Sequence, residues 1–150
     1  RAEVPLSRTD GPCETSNPPA PGQANRPVPS KPSIINMSWD QAGLGMEGES
    51  GQLFCTTKSA VTAFTKALAM SVPNVRVNCV APGWIRTSWG HQAANAAWNK
   101  RAIDESLLGR WGTPQDVAQA VRWLASSDSE FINGQTLAVN GGRRFYPLSP

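Results

Sequence analysis

The chain has 150 residues, of which 39% are hydrophobic and 17% are charged, and its formal net charge is +3. This length suits one ordinary domain with a core of its own. The basic residues are dispersed along the chain and form no stripe that would follow a nucleic-acid backbone. The sequence contains no run of about 20 apolar residues, which is the length that a bilayer span requires. We therefore expect a soluble protein with neither a nucleic-acid nor a membrane partner.

The number and spacing of the cysteines and histidines indicate the redox compartment and whether a metal site is expected. Cys13, Cys55 and Cys79 are an odd number at long spacings, without a C-x-x-C pair. That pattern fits a reducing compartment better than a disulfide framework, so we expect a cytoplasmic protein. The single His91 cannot complete a zinc ligand set with such widely spaced thiols, so no metal site is predicted.

Residues 1–32 differ in composition from the rest of the chain. They hold eight of the 13 prolines and no aromatic residue. Such a segment buries too little apolar surface to offset the entropy of ordering it. We predict a disordered, Pro-rich N-terminal arm over residues 1–32 and a folded domain over residues 33–150. A specific Pro-rich ligand for another protein is the alternative interpretation of the arm.

The folded part opens with a strand, a helix and a second strand. Residues 34–37 are a short apolar run, closed by the Gly-rich stretch 43–51. Apolar residues at helical spacing predict a helix over residues 53–71, which Pro73 ends. Alternating apolar and polar residues over 75–79 predict the second strand.

The second half of the domain continues the alternation. Residues 81–83 (Ala-Pro-Gly) form a break, and residues 84–106 are expected to be helical in part. Thr113 supplies an N-cap, with proline at the first helical position and Asp116 at the third, so a helix follows. Residues 135–139 form the last predicted strand. Strands that alternate with helices predict an α/β fold with a parallel sheet.

Five short motifs follow one another along this folded part. They are Ile-Ile-Asn-Met-Ser (34–38), Phe-Cys-Thr-Thr-Lys (54–58), Val-Arg-Val-Asn-Cys-Val-Ala-Pro-Gly (75–83), Gly-Arg-Trp-Gly-Thr-Pro (109–114) and the stretch from Ile-Asn-Gly-Gln to Val-Asn-Gly-Gly (132–142). In this order they resemble the C-terminal half of a short-chain dehydrogenase/reductase. The resemblance implies a Rossmann-like, doubly wound parallel sheet, here its C-terminal half with three strands and covering helices. It also implies NAD or NADP as cofactor, an alcohol or carbonyl substrate, and a homo-oligomer.

The catalytic motif of that family is altered in this sequence. Its Tyr-x-x-x-Lys stands here as Phe54-x-x-x-Lys58. In the family the tyrosine hydroxyl exchanges a proton while a hydride moves at the same carbon, and the lysine assists and holds the nicotinamide ribose. Phe54 has no proton to exchange. Lys58 remains a candidate catalytic and cofactor-binding residue, although an ordinary solvated helix lysine is the competing interpretation.

The serine of the family is altered as well. The segment 36–39 (Asn-Met-Ser-Trp) resembles the family's Asn-x-Ser-Ser, with Trp39 in place of the second serine, which is ordinarily the catalytic one. Ser38 is the nearest remaining hydroxyl and is the predicted catalytic serine. Asp40 is a possible substitute acid, but an exposed loop carboxylate is the plainer interpretation.

The cofactor segment of the family is present in part. Pro82, Gly83, Ile85 and Thr87 match the segment that bends under the nicotinamide and bonds its carboxamide, a strand-terminating turn being the alternative. The family's Gly-rich turn, which holds the cofactor pyrophosphate at a helix N-terminus, has no counterpart in residues 1–32. Binding of NAD or NADP by this chain alone is therefore expected to be weak.

These residues lead to two hypotheses of function. The first is an NAD(P)-dependent short-chain oxidoreductase acting on an alcohol or carbonyl, truncated and catalytically impaired. The second is a non-catalytic pseudoenzyme that serves as a dimerisation or interaction module. The absent tyrosine and Gly-rich turn favour the second for this chain, whereas Lys58 and the segment 82–87 are expected if a cofactor still binds.

Overall fold

The computed structural model describes residues 31–46, 48–88 and 95–144. Its elements in chain order are β1 (Ser33–Met37), α1 (Glu49–Ser71), β2 (Arg76–Pro82), α2 (Ala96–Glu105), α3 (Pro114–Ala125), a 3₁₀ turn (Ser127–Ser129) and β3 (Thr136–Val139). The predicted arm lies outside the described residues, except for its last two. Within the described parts of the chain, no helix is both long enough and apolar enough to cross a membrane.

The three strands form one parallel sheet in the order β1-β2-β3. Alternate residues of β2 face opposite helices. Cys79 lies on the α1 side, next to Thr65. Val80 lies on the other side, in the core cluster with Val117 and Leu124 of α3. Helices thus cover both faces of a parallel sheet, which confirms the predicted α/β class and Rossmann-like fold.

Two element boundaries differ from the sequence prediction by more than one residue. Helix α1 begins at Glu49, four positions before the predicted start at Leu53. Gly48 precedes it with a φ of 80°, a conformation that glycine adopts readily, so the chain turns into the helix inside the Gly-rich stretch. Strand β2 runs on to Pro82, because a proline is tolerated where the sheet ladder ends.

The predicted N-cap of α3 is confirmed. Thr113 Oγ1 accepts a hydrogen bond from the Asp116 backbone N–H at 3.2 Å, and Asp116 Oδ2 accepts one from the Thr113 N–H at 2.7 Å. Arg110 adds a bidentate pair to the same carboxylate, at 2.8 and 3.1 Å. Hydrogen bonds from Arg110 and Thr113 hold the pKa of Asp116 well below its usual range.

A buried arginine joins the amino end of β2 to the carboxyl end of α3. Arg76 is only 2% exposed and makes no ion pair with a carboxylate in the described ranges. Its guanidinium donates to the carbonyls of Leu124 at 2.8 Å, Ser126 at 3.1 Å and Ser129 at 3.1 Å. The positive charge therefore lies against the negative end of the helix dipole, which compensates for its burial.

Replacing this arginine should destabilise the fold. Arg76→Met keeps much of the apolar stem but removes the charged donor that the carbonyls of Leu124, Ser126 and Ser129 share. A hydrogen bond from a charged group is worth about 1.5–3 kcal/mol. We expect the free energy of unfolding to fall by roughly 3 kcal/mol in urea titrations. Arg122→Met, at an exposed position of α3, is the control and should change it by less than about 0.5 kcal/mol. Equal effects of the two substitutions would contradict this account of Arg76.

Candidate functional site

The carboxyl ends of the three strands meet at one edge of the sheet. The backbone N–H of Ser38 donates to Val80 O at 2.8 Å, and that of Asp40 donates to Pro82 O at 3.2 Å. The N–H of Gly83 donates to Val139 O at 3.1 Å. This edge is where open α/β sheets bind their ligands. The sequence-predicted residues that follow β1 and β2 are thereby brought side by side.

The altered catalytic motif forms a small aromatic and cationic cluster. Phe54 and Lys58 are adjacent on α1, as their four-residue spacing predicts, and Lys58 Nζ lies 5.7 Å from the centre of the Phe54 ring. Trp39 meets the Phe54 ring edge-on at 5.3 Å between centroids. Lys58 Nζ also donates to the carbonyl of Met37 at 3.1 Å. The lysine therefore bridges the end of β1 and the phenylalanine ring.

Ser38 lies beneath this cluster and not in it. The residue is 4% exposed, and its hydroxyl donates to the carbonyl of Lys58 at 2.8 Å and lies 2.8 Å from Thr62 Oγ1. These bonds fasten β1 to α1. A substrate oxygen would have to displace them to reach the hydroxyl, so the catalytic role of Ser38 stays a prediction.

Asp40 is buried, and the expectation of an exposed loop carboxylate is wrong. Its side chain is 1% exposed. Oδ2 accepts hydrogen bonds from Asn140 Nδ2 and Arg143 NH1, both at 3.1 Å, whereas Oδ1 is buried without a partner. Gly83 makes room for it, because an added Cβ would lie 3.2 Å from Asp40 Oδ2 and 2.6 Å from Asn140 Cβ. The carboxylate can be buried because an arginine pairs with it.

Arg143 links this carboxylate to a second one. Its side chain is 6% exposed, and its guanidinium contacts Glu105 at the end of α2 as well as Asp40. The indole N–H of Trp84 donates to the same Glu105 carboxylate at 2.8 Å. Sequence reasoning missed Arg143 and Glu105. The one available signal was the position of Arg143 directly after the Asn-Gly-Gly of the last motif.

The predicted cofactor segment is held in an extended conformation. Ile85 forms a parallel bridge with Gly112, supported by Arg86 N to Gly112 O at 2.9 Å and Gly112 N to Trp84 O at 2.8 Å. The segment is thus fixed against a second piece of chain on leaving β2, which a simple strand-terminating turn does not require.

The family resemblance predicts the nicotinamide end of a dinucleotide at this edge, and the polar side chains described there are compatible with it. Lys58 donates one of its three ammonium N–H groups to the carbonyl of Met37, and the other two could bind ribose hydroxyls. Thr87 adds an exposed residue with a hydroxyl at the end of the cofactor segment. The family's Gly-rich, pyrophosphate-binding turn has no counterpart in residues 1–32. The fit is therefore to one half of the cofactor.

Comparison with known proteins agrees with the fold. The family model described as enoyl-(acyl carrier protein) reductase matches residues 22–144. Among curated relatives, the 3-oxoacyl-[acyl-carrier-protein] reductase FabG of Chlamydia pneumoniae is 41% identical over 115 residues, which are 73% of this chain and 44% of that protein. The chain therefore spans less than half the length of the curated relatives it matches.

Solved structures show the same fold. A short-chain dehydrogenase/reductase described as a glucose/ribitol dehydrogenase, from Brucella melitensis, matches 73% of this chain and 44% of its own at 30% identity and a TM-score of 0.67. A gluconate 5-dehydrogenase from Burkholderia cenocepacia, in complex with NADP and tartrate, matches 73% of this chain and 43% of its own at 30% identity and 0.65. The class is thus that of Rossmann-like oxidoreductases. Within it, the chain belongs to the short-chain dehydrogenase/reductase family.

The ion cluster at this edge should make stability depend on pH. Burial would raise the pKa of Glu105, but hydrogen bonds from Arg101 and Trp84 and the charge of Arg143 hold that pKa below its usual value. The folded state therefore favours the ionised carboxylate. Its stabilising effect is complete above the unfolded-state pKa of about 4.3 and is lost as the pH falls through the lower folded-state value.

We expect Glu105→Gln to lower the free energy of unfolding at pH 7 and to approach the unsubstituted chain as the pH falls below about 4. Urea titrations at a series of pH values measure this convergence. Glu130→Gln, at an exposed position after the 3₁₀ turn, serves as the control. A difference between Glu105→Gln and the unsubstituted chain that stays constant from pH 7 to pH 3 would contradict the assignment.

Proposed function

We propose that this chain is a catalytically impaired short-chain oxidoreductase that keeps the nicotinamide side of an NAD or NADP site. Lys58 and the segment 82–87 would hold the nicotinamide ribose and carboxamide. The observation that carries the proposal is Phe54, which lies beside Lys58 at the position of the family tyrosine. The family substrate would be an alcohol or carbonyl, and we assign this chain to the cytoplasm.

The chemistry of carbonyl reduction explains why Phe54 would impair the reaction. Reduction of a carbonyl needs a hydride at carbon, which NADH or NADPH supplies when bound, and a proton at oxygen. A phenol beside an ammonium group can give that proton, but the Phe54 ring has no acidic hydrogen. The hydroxyl of Ser38 is bound to Lys58 O and Thr62 Oγ1. The Asp40 carboxylate is paired with Arg143. Neither Ser38 nor Asp40 is therefore arranged as a ready proton donor.

A second candidate function is supported by exposed apolar surface. Helix α1 exposes the large apolar side chains of Leu53, Phe64 and Met70. Ile34 and Met37 of β1 are also exposed, and β1 is an edge strand of the described sheet. Apolar residues on a helix face and beside a sheet edge favour association. A non-catalytic role as a dimerisation or interaction module is therefore the alternative.

Association is expected at high protein concentration. A homo-oligomer would bury the edge of β1. It would also bury α1 and strand β3, which correspond to the two elements through which the family commonly assembles. Analytical ultracentrifugation should show a species heavier than the 16.1 kDa chain. Phe64→Glu should shift the equilibrium toward monomer, because it places a charge on the exposed face of α1. Thr57→Glu, an exposed polar position on the same helix, is the control. A sharp monomer for the unsubstituted chain would contradict this expectation.

Cofactor binding by the 150-residue chain should be weak. Because residues 1–32 hold no counterpart of the family's pyrophosphate-binding turn, the nicotinamide-side contacts are too few to offset the cost of immobilising a dinucleotide. We therefore expect a Kd of about 1 mM or higher for NADH and NADPH. Quenching of the six tryptophans reports binding directly. Saturation in the low micromolar range would show a complete cofactor site and would overturn this expectation.

The substitution Phe54→Tyr tests which defect limits activity. A restored phenol acting alone would raise reductase activity by about 10²–10⁴-fold. We expect no measurable change, because a proton donor is useless when the hydride donor is not bound. Oxidation of NADPH and NADH with a panel of ketones measures both versions, and Phe64→Tyr on the same helix is the matched control. Turnover by the unsubstituted chain that is lost in Lys58→Ala would overturn the proposal of an impaired enzyme.

A further inference from the structure

Two contacting aromatic rings beside an ammonium group stand where the family has its catalytic hydroxyls. We propose that Trp39, Phe54 and Lys58 form a binding site for a planar aromatic anion, such as an aromatic carboxylate, which is held without being chemically changed. The inference goes beyond the proposed function, because it requires neither a cofactor nor hydride transfer.

The aromatic part of the site is open to solvent. Phe54 remains 44% exposed although its ring meets Trp39 at 5.3 Å and an interplanar angle of 63°. Trp39 is itself only partly buried. Aromatic rings that only stabilise a fold are usually buried in its core. An exposed aromatic pair at the carboxyl edge of the sheet is therefore suited to contact a third ring.

The charge of the site is positive and unpaired. Lys58 makes no salt bridge within residues 31–46, 48–88 and 95–144. Its Nζ uses one N–H on the Met37 carbonyl, and two donors remain. Asp40, the carboxylate that follows Trp39 in the chain, already pairs with Arg143 and Asn140. An incoming anion would therefore meet an uncompensated ammonium group.

Neighbouring apolar residues extend the surface beyond a single ring. Met46 packs on Gly51, where an added Cβ would lie 2.9 Å from Met46 Cγ, and Gly51 lies one helical turn before Phe54. Met46 remains exposed, as does Leu53 beside Phe54. Ser59 fixes the loop that carries Met46 by donating to Ala42 O at 2.7 Å. The ligand that fits this surface is a fused or extended aromatic system with one anionic group.

Three probes that share a naphthalene ring and carry substituents of different charge test the proposal by isothermal titration calorimetry and by the indole N–H resonances of the tryptophans. They are 2-naphthoate, the neutral 2-naphthalenemethanol and the cationic 2-naphthylmethylammonium. We expect saturable binding of naphthoate, weaker by about two- to five-fold for the neutral alcohol, as for an exposed ion pair. The cation should bind most weakly, because it meets the ammonium group of Lys58.

Substitutions locate the site. Lys58→Met should abolish the preference for the anion while the neutral probe binds unchanged. Phe54→Leu and Trp39→Leu remove a ring while keeping an apolar side chain, and each should weaken naphthoate binding by about two- to ten-fold. Lys66→Met and Phe64→Leu, exposed residues of the same types elsewhere on α1, are the matched controls and should leave the affinity unchanged. Circular dichroism and thermal unfolding verify that each variant is folded.

Equal affinity for the three probes, absence of saturation, or equal losses in the site and control variants would each overturn the proposal. The test is separate from that of the proposed function. Ketone turnover by the unsubstituted chain would remove the impaired-enzyme proposal and leave the naphthoate result unaffected. Conversely, a chain without turnover and without a preference for the anion would keep the impaired-enzyme proposal and end this one.

Discussion

The fold depends on a strand that is buried on both faces and paired on both edges. Residues Arg76–Ala81 of β2 are all buried, between β1 and β3 and between α1 and α3. At its amino end, the Arg76 guanidinium binds the last carbonyls of α3. At its carboxyl end, Pro82 and Gly83 are bonded to the chain that follows β1 and to β3. The groups described at the carboxyl edge of the sheet are positioned relative to this strand.

That edge combines a rigid frame with altered chemistry. Arg143, which follows β3, pairs with Asp40, which follows β1, and with Glu105 at the end of α2. Lys58 joins β1 to α1 through Met37 O. Such a frame can hold a ligand in a fixed orientation. At the family's tyrosine and serine positions the chain has Phe54 and Trp39, and the Ser38 hydroxyl is bonded to Lys58 O and Thr62 Oγ1. Under the proposed function, binding and catalysis depend on different atoms and are therefore separable.

Much of the fold was predictable because the signals are local. The hydrophobic periodicity of α1 and the capping box at Thr113 depend on residues a few positions apart, and both elements are confirmed. The start of α1 was missed because a Gly-rich stretch predicts a loop. In the structure, one glycine with a positive φ supplies the turn into the helix, and the residues after it are helical.

The sequence by itself determined the family and the residue that stands at the position of the family's tyrosine. Motif order and the identity of Phe54 are properties of the chain that no packing can change. Tertiary structure alone decided the environment of each group. It buries Asp40 against Arg143, 103 positions away, commits the Ser38 hydroxyl to α1, and leaves the Trp39 and Phe54 rings partly exposed. Those outcomes depend on which strand ends become neighbours in the sheet, and a contact between distant segments leaves no periodicity in the sequence.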